Sequence, residues 1–387
     1  MSSIRRTAAA AVAVAALLVT ATACGPEDTK AAGQDSAAEA GGSPDTPKLP
    51  NGLPNSLDAL KKWEQGGWQD WDKETWARKA SEFANPIIKD LWKPSRMAKA
   101  EDAPVVTTQS AGSGGGPGAT DPEPRPVTAQ QVERPYHEHM APVGKIFFDS
   151  PDGPMVCSGT VVSDPANPGK SNLVWTAGHC VHTGKSGGWM RNIVFVPSYN
   201  DNGLPANQVS ASSQQNITPY GTWWADWSQT SSQWIDGGGR TGNAASAYDF
   251  AVLHVKPENG GGKSLEETVG ASVPVWFDAP SGSGGISSTK AIGYPAAPPY
   301  DGAKMMNCLD RPVRLTMAQG TPAMHWIGCT MTGGTSGGGW FASRDGELAL
   351  VSNSSIGSLD HTWLAGPQLG PEAEGVFHAI SKKFAGR

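Results

Sequence analysis

The sequence predicts an all-β, loop-rich body over its C-terminal two-thirds, and three observations lead there. Apolar residues fall in short runs, rich in Val, Ile, Phe and Trp, rather than in long helical stripes. Glycine punctuates those runs, 48 times in 387 residues, as a chain of many tight turns requires. Charged residues make up only 17% of the chain, which suits the same architecture.

The elements follow in order. Val143–Phe148 reads as an opening strand, then Met155–Val162, Leu173–Trp175, Ile193–Val196 and Phe250–Val255. A second series comprises Val273–Phe277, Ala291–Gly293, Val313–Met317, Ala323–Gly328 and Leu348–Ser352. Over Glu374–Phe384 the apolar spacing becomes helical, with Val376, Phe377, Ile380 and Phe384 on one face, so the chain ends in a helix. Trp223, Trp224, Trp227 and Trp234 crowd a stretch, 220–240, that reads as an insertion.

Two motifs carry the chemistry. Gly333-Gly334-Thr335-Ser336-Gly337-Gly338 presents one serine on a turn stripped of side chains. Such a turn lets a carbonyl approach the backbone and leaves peptide N–H groups free to meet a developing oxyanion. Thr176-Ala177-Gly178-His179-Cys180 offers a histidine in a small-residue loop, suited to activating that serine. A carboxylate must orient the imidazole. Asp249, in Ala247-Tyr248-Asp249-Phe250-Ala251, stands just before an apolar strand, and Asp226 and Asp236 compete for the role. The order His179, Asp249, Ser336 is that of chymotrypsin, not of subtilisin or the α/β-hydrolases.

On these motifs, residues 137–387 resemble the bacterial chymotrypsin-fold (trypsin-like) serine proteases, nearest in style to the glutamyl endopeptidase branch. The resemblance implies two antiparallel six-stranded β-barrels with the catalytic groups at their junction and a C-terminal helix. It also implies a Ser336–His179–Asp249 triad acting through an acyl-enzyme, with the N–H groups of Gly334 and Ser336 as oxyanion hole. The expected partner is a protein or peptide substrate cut by a monomer without cofactor or metal. A serine esterase, and a catalytically silent membrane-tethered binding protein on the same body, are the alternatives.

Two departures from the digestive enzymes bear on activation and specificity. Thr335 stands where those relatives carry the aspartate that pairs with a newly cut N-terminus, so this chain does not mature by that ion pair, and activation, if needed, comes from removing a segment that blocks or distorts the site. Thr330 stands where a basic-specific pocket needs aspartate. Met331 replaces the hydroxyl residue of the glutamate-specific relatives, and the expected pocket-wall residues Ser352, Asn353 and Ser354 bring no histidine. The side-chain preference stays open. So does the role of the tryptophan stretch, as a wall of the cleft or as packing on the barrel's outer face.

The N-terminus reads as targeting sequence. Arg5-Arg6 precede an apolar run ending at Ala23, which gives a signal peptide over 1–23. Ala21-Thr22-Ala23-Cys24 resembles a lipobox, which implies a lipid anchor on Cys24; ordinary cleavage after Ala23 is the other reading. The expected product is extracellular, free or membrane-anchored. Residues 24–55 read as a flexible tether, 56–98 as a small Trp-rich helical segment suited to a pro-segment, 99–134 as a Gly/Pro-rich linker, and 135–387 as the protease domain.

Setting Cys24 aside leaves Cys157, Cys180, Cys308 and Cys329, an even set for an oxidising compartment. The resemblance selects Cys157–Cys180 and hence Cys308–Cys329. His179-Cys180-Val181-His182 is the one cluster of zinc-type ligands, and no second cluster completes it. A formal charge of −6 gives no basic footprint for nucleic acid.

Overall fold

The computed structural model describes residues 83, 85–102, 106–108, 120–185, 187–281 and 285–386. The expected signal peptide, Cys24, the tether and residues 56–82 of the Trp-rich segment lie outside them. No helix among the described residues is long and apolar enough to cross a membrane.

Three short strands precede the body: β1 (Glu101–Asp102), β2 (Val106–Thr108) and β3 (Gln130–Gln131). Six strands then form the first half: β4 (Val143–Ser150), β5 (Gly153–Val162), β6 (Leu173–Thr176), β7 (Arg191–Pro197), β8 (Trp223–Thr230) and β9 (Ala251–Pro257). They pair in the order β5-β4-β7-β8-β9-β6, and β5 also pairs with β6, so the sheet closes as a six-stranded antiparallel barrel. Period-two alternation divides the side chains between two apolar clusters. Ile146, Phe148, Phe195, Trp223 and Leu253 join one, while Phe147, Val194, Trp224 and Val252 join the other.

The tryptophan stretch is therefore not an insertion. Trp223, Trp224 and Trp227 belong to β8, a central barrel strand between β7 and β9. Aromatic residues favour a half-buried pleated surface, and that signal was present in the sequence. Trp234 follows in the short helix Ser232–Gly237, capped by Ser231.

The second half contains β10 (Thr289–Gly293), β11 (Met306–Asp310), β12 (Val313–Leu315), β13 (Met324–Gly328), β14 (Gly339–Arg344), β15 (Glu347–Asn353), β16 (Ile356–Ser358) and β17 (Trp363–Pro367). These strands form two five-stranded sheets, β15-β14-β10-β11-β3 and β12-β13-β17-β16-β2, rather than one continuous second barrel. The ladder is interrupted where the chain does other work. Residues 354 and 355, between β15 and β16, bond the serine turn and the Asp249 carboxylate. Cys308–Cys329 staples the two sheets together, and the Gly328 N–H donates to the Asp310 carboxylate at 2.8 Å.

Val273–Phe277, expected as a strand, makes only isolated bridges, Val162 to Val273 and Val275 to Leu350. The C-terminal helix spans Pro371–Lys383. Pro371 at its first turn, acidic Glu372 and Glu374 at the start and Lys382 and Lys383 at the end suit helix geometry and dipole. Its apolar face buries Ala373, Val376, Phe377 and Ile380.

Upstream of the body, the described part of the Trp-rich segment holds a single helical turn, Pro94–Met97. It is docked on the first barrel. The Asn85 amide donates to the Ile193 and Ala225 carbonyls and accepts from the Ile193 N–H. The Trp92 indole is buried and donates to the Asn192 carbonyl at 2.7 Å, with the Arg96 guanidinium 4.0 Å above its ring and paired to Asp149. From Asp121 onward the expected linker lies along the second half: Asp121 bonds the Arg314 backbone and β3 pairs with β11.

Candidate active site

The serine turn is built by backbone hydrogen bonds. Gly337 N–H donates to Ser354 O at 2.8 Å, Gly338 N–H to Thr335 O at 2.8 Å, and Ser158 N–H to Ser336 O at 2.7 Å. The Ser158 hydroxyl donates to Gly334 O at 2.9 Å, which orients that peptide. Gly334 and Gly337 have φ of 93° and 76°, the left-handed region where a side chain is strained. A Cβ on Gly337 would also fall 2.1 Å from Thr176 Oγ1 and 2.7 Å from Ala177 N. The serine turn is thus pressed against the histidine loop. Among the described residues, the N–H groups of Gly334 and Ser336 have no acceptor.

His179 sits in the 3-10 turn Gly178–Cys180, which Cys157–Cys180 ties to β5 beside Ser158. Its backbone N–H donates to Asp249 Oδ1 at 2.8 Å, and its Nδ1 lies 2.7 Å from Asp249 Oδ2. A carboxylate facing Nδ1 places the proton there and leaves Nε2 as the acceptor. Asp249 is fully buried at the end of the turn Ala244–Tyr248. The competing carboxylates are elsewhere: Asp226 bonds His254 and Lys256, and Asp236 is exposed.

Two supporting residues extend the network. The Ser355 hydroxyl donates to Asp249 Oδ2 at 2.6 Å. The Asn353 amide donates to the Asp249 carbonyl at 3.1 Å and accepts from the Trp175 indole at 3.0 Å. Sequence reading missed Ser355 and cast Asn353 only as pocket wall; residues remote in sequence carry no signal of such a bond. The His179 ring also lies 6.1 Å from the Trp234 ring, whose indole donates to His182 O. Ser336 Oγ and His179 Nε2 are both buried and have no hydrogen-bond partner among the described residues.

The residues expected around the pocket make internal bonds. Thr330 Oγ1 accepts from the Ala129 N–H and meets the Tyr300 hydroxyl at 3.2 Å. Met331 packs in an apolar cluster beside the Cys308–Cys329 bridge. Ser352 donates to Pro367 O, and the Ser354 hydroxyl accepts from the Trp340 indole. His182 and His325 are buried, and burial lowers each pKa from the ordinary 6.5 to about 4. Cys157, His179 and Cys180 lie close enough to suggest a metal site, but both sulfurs are consumed in the disulfide.

No family model and no curated protein matches the sequence. Solved structures do. A thermostable serine protease, AL20, from an extremophilic microorganism shares 29% identity over 62% of this chain and 97% of its own, with a TM-score of 0.51. Protease Anisep from Arthrobacter nicotinovorans shares 30% identity over 65% of this chain and 99% of its own, with a TM-score of 0.50. A Glu endopeptidase in complex with MPD aligns at 15% identity over 68% of this chain and 100% of its own, with a TM-score of 0.47. With nearly the full length of two bacterial proteases matched by a body that closes a β-barrel beside a buried Ser, His and Asp, the chain belongs to the chymotrypsin-fold serine proteases.

Proposed function

We propose that this protein is a secreted serine endopeptidase using Ser336, His179 and Asp249. The observation that carries the reading is the buried Asp249 carboxylate. It accepts from the His179 N–H, faces His179 Nδ1 and leaves Nε2 unpaired, with the serine turn packed against the same loop.

In this mechanism Nε2 takes the proton from Ser336 Oγ as that oxygen attacks the scissile carbonyl. The Asp249 carboxylate holds the Nδ1–H tautomer and stabilises the imidazolium. The free N–H groups of Gly334 and Ser336 meet the oxyanion, where losing one donor costs on the order of 10²–10³ in turnover. His179 then protonates the departing amine, and water hydrolyses the acyl-enzyme by the reverse proton route. Two disulfides support an oxidising compartment, and Arg5-Arg6, the apolar run and Cys24 support export with a lipid anchor. Intact mass of the exported protein tests the anchor, which an unmodified Cys24 would exclude.

Incubation with an unbiased peptide library tests the activity. Cuts that disappear in Ser336→Ala support it, and the same cuts made by Ser336→Ala contradict it.

A further inference from the structure

Lys145 is a cation buried between the two halves of the body. It stands on β4, opposite Ser158 of β5 and Val196 of β7, and is 3% exposed. Its ammonium donates to the Gly302 carbonyl at 2.6 Å and lies 5.2 Å from the Phe147 ring centroid and 5.0 Å from that of Tyr199. Asp301 is the carboxylate whose charge reaches it, and that side chain already accepts from the Ala206 and Ala303 N–H groups. Taking a cation out of water without a direct ion pair is costly, and the one carbonyl it holds sits at a consequential place.

Gly302 closes a loop that carries the serine turn. The Gly302 N–H donates to Pro295 O at 2.9 Å, and the next residue, Ala296, donates its N–H to Gly333 O at 2.6 Å. Ala297 adds a longer bond to the same oxygen at 3.3 Å, and its carbonyl accepts from the Thr332 hydroxyl at 2.7 Å. The layers touch. A Cβ on Gly302 would lie 2.9 Å from Lys145 Nζ and 3.1 Å from Ala296 Cβ, and one on Gly334 would lie 2.8 Å from Ala296 Cβ. Among the described residues, Lys145 is the only donor to Gly302 O.

Gly333 O and Gly334 N–H belong to one peptide group. That group is planar and trans, so its C=O and N–H point in opposite directions. Holding the carbonyl on Ala296 therefore aims the Gly334 N–H away from the loop, and among the described residues it meets no acceptor there. A rotation of this peptide would withdraw the donor and present a carbonyl oxygen in its place.

We infer that Lys145, as the ammonium, is a positioning residue for the oxyanion hole: it anchors the 295–302 loop, whose Ala296 N–H orients the Gly333–Gly334 peptide. This rests on the Ser336 reading above. Burial lowers the Lys145 pKa from the ordinary 10.5 to about 7, with the Asp301 charge opposing the shift. Tyr199 and Tyr294 stand beside it, with Tyr136 behind; burial raises all three phenols, so they stay neutral. Asp201, whose charge reaches Tyr136 and Tyr294, is bonded to the His137 N–H and ring. The ammonium loses its proton as pH rises through about 7, and its hold on Gly302 O weakens. A general base works in its neutral form, so the His179 limb of a pH profile rises; a falling limb has the opposite sign.

The test compares the full-length chain with Lys145→Met, which keeps an unbranched side chain and removes the charge. On a single peptide substrate kcat should fall about tenfold with KM within about twofold, because the oxyanion is absent from the ground state. A peptide aldehyde of the same sequence, whose adduct places an oxygen in the hole, should lose affinity by about the same factor. The parent's kcat should decline from pH 7 to pH 9, and the decline should be missing from Lys145→Met. The Ala296 amide should lose hydrogen-exchange protection in the variant. The parent's pH profile needs no substitution, so it decides the question even where Lys145→Met does not fold. A parent with equal kcat at pH 7 and pH 9, or a variant that keeps the parent's kcat and pH profile, overturns the Lys145 role and leaves the Ser336 reading intact. Native circular dichroism with no turnover by the parent overturns both.

Discussion

The Ser355 hydroxyl donates to Asp249 Oδ2 at 2.6 Å, the same oxygen that faces His179 Nδ1 at 2.7 Å. A carboxylate held from two sides cannot rotate away from the imidazole, and a hydrogen bond to a charged acceptor is among the stronger kinds. Ser355→Ala should therefore lower kcat about tenfold with KM little changed, the loss of one charge-assisted hydrogen bond. Steady-state kinetics on a single peptide checks it; an unchanged kcat would show that His179 alone orients Asp249.

Asp249→Asn keeps the shape of the site and reverses one hydrogen bond, so the imidazole takes the wrong tautomer. Turnover should fall on the order of 10⁴. Asp226→Asn, which touches His254 and Lys256 instead, should leave kcat within about twofold, as expected away from the reacting atoms. A larger loss in the second variant than in the first would reassign the triad carboxylate.

The two disulfides should separate stability from activity. Cys308→Ala/Cys329→Ala removes the staple between the two sheets, and urea unfolding should show a loss of roughly 3 kcal/mol. Cys157→Ala/Cys180→Ala should cost a similar amount and also lower kcat, because it frees the loop that carries His179. Equal retention of kcat in both variants would contradict that positioning role.

His182 and His325 give the fold an acid limit. Each has an ordinary pKa of 6.5 when unfolded and about 4 when buried, so the unfolded chain binds more protons between those values. Above pH 6.5 their burial carries no proton-linked penalty, and stability is lost as pH falls toward about 4, by up to about 3 kcal/mol for each group. His325, with both ring nitrogens unpartnered among the described residues, is the cleaner probe. Stability measured by denaturant at pH 7 and pH 4 should fall less steeply in His325→Phe; an identical slope would mean that His325 is protonated in the fold.

Much of this molecule was legible in the sequence because the signals were local. The Gly333–Gly338 turn, the Thr176–Cys180 loop and the apolar runs of β4–β7 and β9 each announce themselves within a few residues. β8 was missed because Trp-Trp-Ala-Asp-Trp breaks the period-two alternation, and the strand itself shifts register between Ala225 and Trp227. β11, β14, β16 and β17 were missed because Gly, Ser, Asn or Asp breaks up their apolar residues, and the pairings that complete their sheets, β10 with β14 and β13 with β17, join partners distant in sequence. The same holds for Ser355 and for the docking of residues 85–102, whose bonds to Asp249, Asn192 and Ile193 are purely tertiary. The even cysteine set was visible; which sulfurs meet came from resemblance, and both pairs are present in the structure.

The most direct measurement is covalent capture of the nucleophile: fluorophosphonate treatment of the folded protein and of its His179→Ala variant, followed by peptide mapping. The adduct should fall on Ser336 alone and disappear when His179→Ala is introduced. An adduct on any other residue, or none on the folded parent chain, would contradict the account.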